Sequence, residues 1–233
     1  MTDFQHIYTH QAEQYDRLVA REDYQGQILA ALQRIRPLEG LDVVEFGAGT
    51  GRLTRLLAPL ARSVQAFDAS AAMLRVAAKT VEDMGRTNCT FGVADNRRLP
   101  VPDAVADLAV AGWSFGHTVG WFPDTWRAEI GQMLAEMRRV LRPGGTAVIL
   151  ETLGTGRETP QPPHAGLAAY YGWLEGEQGF SATWIRTDYE FASLDEADEL
   201  TRFFFGDELA DRVRREGLVR LPECTGIWWQ HTP

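Results

Sequence analysis

The chain is poor in cysteine. Cys89 and Cys224 are the two present, with no C-x-x-C pair. That leaves little basis for a disulfide scaffold and fits a reducing compartment, where a lone cysteine acts as a small hydrophobe. No apolar run reaches the roughly 18–20 residues that span a bilayer. The polar start M-T-D-F-Q-H-I-Y-T-H lacks the features of a signal peptide. Positive charge is in deficit: 23 Lys and Arg against 32 Asp and Glu leave a formal charge of −9. A broad nucleic-acid or acidic-membrane surface needs a basic face, so neither partner is expected. No His, Cys, Asp or Glu cluster has metal-ligand spacing, and no metal is expected. Internal repeats and low-complexity tracts are missing too. A cytoplasmic protein is the expectation, and nothing in the sequence sets its oligomeric state.

What is present is a regular alternation. Over the first forty residues Ile28, Leu29, Leu32 and Ile35 form an apolar stripe, ended by Pro37 and Gly40. Short apolar runs then read as buried strands at 41–46, 63–68, 89–93, 107–111 and 146–151. Helical patterns separate several of them, at 52–60, 71–84 and 126–141, the last broken by P-G-G at 143–145. Such spacing means βαβ units: an α/β fold with a doubly wound, mostly parallel sheet. After a Gly/Pro-rich loop and the aromatic stretch A-A-Y-Y-G-W-L-E (168–175), a strand is expected at 183–191. Helices follow at 194–205 and 208–216, and a last strand at 226–230. With 233 residues, one domain over 1–233 is the economical reading. Its parts are a helical lid (1–40), a ligand-binding core (41–152), an insertion on the substrate side (153–182) and closing strands and helices (183–233).

The stretch V-V-E-F-G-A-G-T-G (43–51) places a glycine turn after the first strand, at the edge where open α/β sheets bind ligands. A P-loop would need Lys after its last glycine, and none follows Gly51. A dinucleotide fingerprint would need Gly where Arg52 stands. Glu45 disfavours a phosphate and favours a ligand bearing an ammonium or sulfonium group.

These residues resemble motif I of the class I S-adenosylmethionine-dependent methyltransferases, of the small-molecule type. Four more segments continue the likeness in order: A-F-D-A-S-A-A-M-L (66–74), A-D-N-R-R-L-P (94–100), D-L-A-V-A-G-W-S-F-G-H (107–117) and R-R-V-L-R-P-G-G-T-A-V-I (138–149). The likeness covers roughly residues 40–152. It implies a seven-stranded Rossmann-like sheet with an antiparallel last strand, and S-adenosylmethionine as cofactor with S-adenosylhomocysteine as product. By position, Gly47, Ala48 and Gly49 would line the amino-acid end and ribose, with Glu45 near the ammonium. Asp68, beside Ala69, would accept from the ribose hydroxyls. Asp95 and Asn96 would meet the adenine, with Met73 packed on it and Trp113 nearby. A-E-Q-Y-D (12–16) resembles a leading helix whose Tyr15 closes over the cofactor. Simpler roles stay open: Asp68 as a helix cap, Asp95 as a turn residue, and Met73 and Tyr15 as core.

The implied reaction is SN2 methyl transfer to a small-molecule acceptor. His117 is the candidate general base, with a structural histidine as its other reading. The aromatics Trp113, Phe115, Trp121, Phe122, Tyr170, Tyr171 and Trp173 could line an acceptor pocket or form a lid core. The N-P-P-Y or D-P-P-Y tetrapeptide of amino-methylating enzymes is replaced by G-W-S-F. Two other classes compete: a non-catalytic cofactor-binding protein, and a nicotinamide-dependent oxidoreductase.

Overall fold

The computed structural model describes residues 4–233, so the first three positions of the expected lid lie outside the described residues. Helices α1 (Phe4–His10), α2 (Ala12–Val19) and α3 (Gln27–Ile35) lead into strand β1 (Asp42–Phe46). The core follows as α4 (Arg52–Leu57), β2 (Ser63–Asp68), α5 (Ala71–Asp83), β3 (Cys89–Val93) and β4 (Ala106–Gly112). Next come α6 (His117–Trp121), α7 (Trp126–Val140), β5 (Leu141–Thr155) and α8 (Ala165–Gly176). The chain closes with β6 (Ser181–Arg186), β7 (Tyr189–Glu190), α9 (Leu194–Phe205), α10 (Asp207–Glu216), β8 (Arg220–Leu221) and β9 (Glu223–His231).

A seven-stranded sheet has the order β3-β2-β1-β4-β5-β9-β6. Strands β1 to β5 pair in parallel, and β9 runs antiparallel to both neighbours. This is the expected doubly wound sheet with its antiparallel last strand. Alternation along β1 explains its two-sided burial. Val44 and Phe46 join the core under α7 and α8, while Val43 joins the opposite core under α3 and α4. Glu45 shares the face of Val43, which sends a carboxylate toward α4. The order reverses between β1 and β4, so the ends of β1, β2, β3 and β4 open a crevice on one edge.

The predicted elements differ from the observed ones in three places. The P-G-G at 143–145 does not delay the fifth strand: β5 starts at Leu141, directly after α7, with an irregularity opposite Ala106 and Leu108. The strand expected at 183–191 is split. Asp188 accepts from Arg186 and from the backbone of Glu223, turning the chain so that β7 leaves the main sheet and pairs with β8. The aromatic stretch 168–175 is helix α8, capped by the ring of His164. Tyr170, Tyr171 and Trp173 are buried in the core, with Tyr171 stacked on Trp228 at 4.5 Å.

Candidate active site

A cavity of about 690 Å³ opens at the carboxyl edge of β1 to β4. Every residue to which the sequence assigned a cofactor or general-base role lines it, from Tyr15 and Glu45 through Asp68 and Asp95 to His117. The aromatics of α8 do not, while Trp121 and Phe122 do. Parallel pairing is the reason for the convergence: it brings four strand ends, and the turns that follow them, to the same edge.

The turn after β1 is tightly confined. Gly47 has φ +65°, and an added Cβ would lie 2.4 Å from Cβ of Ser114. Gly49 also has positive φ, and its amide donates to Oδ2 of Asp68 at 2.8 Å. The other carboxylate oxygen, Oδ1, accepts from the Ser70 amide at 2.7 Å. Asp68 thus bridges the ends of β1 and α5. Each of its oxygens keeps a free lone pair, so two adjacent hydroxyls can still be accepted. Burial raises its pKa.

Glu45 is 2% exposed and accepts from Oγ1 of Thr54 at 2.6 Å. Burial raises its pKa to about 8. Without a cation beside it, this carboxyl is largely protonated at neutral pH. At the other end of the cavity, Asp95 is bound by the guanidinium of Arg97, which also pairs with Glu129 at 2.6 Å. That pairing lowers the pKa of Asp95. Its neighbour Asn96 has a buried Oδ1 with no hydrogen-bond partner, and Oγ1 of Thr50, which also lines the cavity, is in the same state. Buried polar atoms are rarely orphaned, so both point to a polar ligand. Met73 is 2% exposed and serves the core while it lines the cavity.

The side of the cavity at α1 and α6 was only partly foreseen. His117 opens α6, and its Nε2 is 2.9 Å from the hydroxyl of Tyr8. Rings surround it: Trp121 stacks at 5.2 Å, and Phe4 lies at 5.5 Å. Burial pushes its pKa down to about 4, so it is neutral at neutral pH. Tyr15 stands edge-on to Tyr8 and against Phe204, with its pKa raised to about 12 by burial. No motif marks Tyr8. Helix α1 brings it over the cavity, and Oγ of Ser70 fastens that helix by donating to the Tyr8 carbonyl at 2.7 Å. Glu151 was also missed. It ends a buried apolar run, as Glu45 nearly does, and accepts from the Gly116 amide at 2.7 Å, directly before His117. Burial raises its pKa to about 8.

The donor set suits an adenosyl amino acid. Orphaned polar atoms stand at Asn96 and Thr50, Asp68 offers two acceptor oxygens at the end of β2, and the glycine turn admits close backbone approach. Among the described residues no cluster of His, Cys, Asp or Glu could hold a metal. No described helix is long and apolar enough to cross a membrane.

A family model described as a methyltransferase domain matches residues 43–145. The ubiquinone/menaquinone biosynthesis C-methyltransferase of Caulobacter vibrioides is 31% identical over 133 residues, covering 52% of this chain and 48% of that protein. The chain thus aligns with about half the length of this relative. An uncharacterized methyltransferase of Geobacillus kaustophilus is 30% identical over 155 residues, covering 64% of this chain and 67% of the relative. Among solved structures, a SAM-dependent methyltransferase from Aquifex aeolicus superposes with a TM-score of 0.57 at 16% identity, covering 92% of each chain. That likeness concerns the fold. With the sequence relatives and the five ordered segments, it places this chain in the class I S-adenosylmethionine-dependent methyltransferase family.

Proposed function

We propose that the protein transfers a methyl group from S-adenosylmethionine to a small-molecule acceptor, as one domain whose N-terminal helices form the lid. The observation that carries this reading is the free acceptor capacity of Asp68 in a cavity that is also lined by Asn96 and Thr50, whose side-chain oxygens have no partner. Asp95 and Asn96 would take the adenine, with Met73 packed on it. Asp68 and Ala69 would take the ribose. Gly47, Ala48, Gly49 and Glu45 would take the amino-acid end, with Trp113 beside it and Tyr15 closing above.

The cofactor, when bound, supplies a sulfonium-activated methyl, and S-adenosylhomocysteine is left as product. The chain's own task is to position the acceptor and exclude water. His117 is neutral and can accept a proton from the acceptor, while the Tyr8 hydroxyl fixes its ring. Trp121, Phe122 and Met133 give the acceptor side an apolar wall that suits a flat ring. Such a ring is in keeping with the Caulobacter relative's place in ubiquinone/menaquinone biosynthesis. The two cysteines are free, which supports a reducing, cytoplasmic location.

The test is a thermal-shift comparison of S-adenosylmethionine, S-adenosylhomocysteine and NADH, followed by an acceptor screen that detects S-adenosylhomocysteine release. Stabilisation by the adenosyl ligands alone and turnover with a ring-bearing acceptor support the reading. Stabilisation by NADH alone would replace it with an oxidoreductase. Cofactor binding with no turnover on any acceptor class would leave a binding protein.

A further inference from the structure

One buried acid stands at the sheet edge behind the cavity wall. Glu151 lies on β5, one residue beyond Leu150, which pairs with Gly112 at the end of β4. It is 3% exposed and does not line the cavity. Burying a carboxyl costs free energy unless its oxygens are bonded. Here the bonds come from backbone. Oε1 accepts from the Gly116 amide at 2.7 Å, and the Phe115 amide also donates to the carboxyl. Oε2 fills the space beside the same turn. A Cβ added to Gly116 would lie 2.9 Å from Oε2 and 3.2 Å from Cδ2 of Leu167 in α8. The carboxyl is therefore wedged against the chain where it leaves β4 for α6.

What that turn carries gives the contact its consequence. Helix α6 begins at the next residue, His117, and brings Trp121 and then Phe122 to the cavity. It has five residues and no side-chain cap of its own. A helix that short is not stable alone, so its place depends on what holds its ends. Two ties hold the turn before it. Phe115 packs edge-on to Phe46, and the Ser114 hydroxyl donates to the Phe46 carbonyl, which fastens the turn to β1. Glu151 fastens it to β5. The titratable groups facing Glu151 are Tyr8 from α1 and Tyr170 and Tyr171 from α8. Tyr8 is also the partner of His117 Nε2. Glu151 thus adjoins both the backbone that carries His117 and the hydroxyl that its ring meets.

We propose that Glu151 is a positioning residue for α6: by holding the turn at Phe115 and Gly116, it sets the His117 ring against Tyr8 and places Trp121 and Phe122. Its consequence for turnover rests on the methyl-transfer reading above. The contact itself does not depend on the cofactor.

Histidine-ring NMR on the full chain tests it, with the His117 signals assigned by their loss in His117→Asn. Glu151→Ala should move those signals. It should also raise the His117 pKa from about 4 toward the ordinary 6.5, as the ring loses its buried place. Glu151→Gln keeps the size and an acceptor oxygen, so it should retain the native signals. Calorimetry should give native S-adenosylhomocysteine affinity in both variants. With an acceptor in hand, Glu151→Ala should lower kcat about 10²-fold, the scale for a misplaced group, and Glu151→Gln should restore it. Native His117 signals in Glu151→Ala would overturn the assignment. Equal disturbance of His117 and of S-adenosylhomocysteine affinity would also overturn it, because it would show a general structural role. Where Glu151→Ala fails to fold, Gly116→Ala serves, since its Cβ presses directly on Oε2. Unmoved His117 signals in that variant would overturn the assignment too. If native protein binds no S-adenosylhomocysteine, the methyl-transfer reading falls, and the His117 signals still decide the role of Glu151.

Discussion

Replacing Gly47 by alanine should cost far more than the same change at Gly49, two residues away. Both glycines have positive φ, +65° and +55°. A residue with a Cβ loses about 1–2 kcal/mol in that region. At Gly49 nothing lies within 4 Å of the added carbon, so strain is the whole cost. At Gly47 the added carbon would lie 2.4 Å from Cβ and 2.8 Å from Oγ of Ser114. Ser114 is tied down, since its hydroxyl donates to the Phe46 carbonyl at 3.2 Å. Overpacking of this kind adds about 1–3 kcal/mol. The expected losses are about 2–5 kcal/mol for Gly47→Ala and about 1–2 kcal/mol for Gly49→Ala. Urea unfolding monitored by tryptophan fluorescence gives both values. Ser114→Gly removes the obstructing atoms, so a double-mutant cycle should show coupling of at least about 1 kcal/mol with Gly47→Ala and almost none with Gly49→Ala. Equal costs at the two glycines, or no coupling to Ser114, would refute the close approach of the β1 and β4 turns.

Glu151 holds a proton in the folded state, with a pKa of about 8 against an ordinary 4.5. The folded state therefore binds more protons than the unfolded chain between those values, and this carboxyl lowers stability as pH rises through that window. Glu151→Gln should gain on native protein by up to about 1.4 kcal/mol per pH unit there, and parallel stability curves would contradict the assignment. Glu45 is in the same condition, so an arriving ammonium should drive its proton off. S-adenosylhomocysteine affinity should then rise between about pH 6 and 8, with proton release visible in buffers of different ionisation enthalpy. Glu45→Gln should abolish the release, and its persistence would assign the proton to another group. Asp68→Ala should weaken S-adenosylhomocysteine binding by about 1.5–3 kcal/mol, and unchanged affinity by calorimetry would remove Asp68 as the ribose ligand. Once the acceptor screen has supplied a substrate, His117→Ala should lower kcat about 10²–10⁴-fold with cofactor affinity unchanged, and normal turnover would return His117 to a structural role.

The part of the cavity at the ends of β1, β2 and β3 was legible because its determinants are local. A buried apolar run, a glycine turn and an acid at the next strand end are short patterns, and parallel pairing converges them whatever surrounds them. The part at α1 and α6 was not, because its contacts join distant segments. Tyr8 and His117 are 109 residues apart, and neither local period nor motif predicts that α1 folds over α6. The α8 aromatics mislead for a related reason. A cluster of rings reads the same whether it faces a ligand or a core, and here packing against Trp228 placed it in the core.

By itself the sequence determined the order of the parallel core strands β1 to β5, the glycine turn and the acids at the ends of β1 and β2. Backbone periodicity and φ preference act over a few residues, so they are written in the chain directly. Only the tertiary structure decided each charged group's partner. Glu45 is met by Thr54 and left largely protonated, Asp95 is held by Arg97, and Arg52 is pressed between Trp113 and Glu22. Burial and pairing set the charge state of each group, and both exist only once separate segments have packed together.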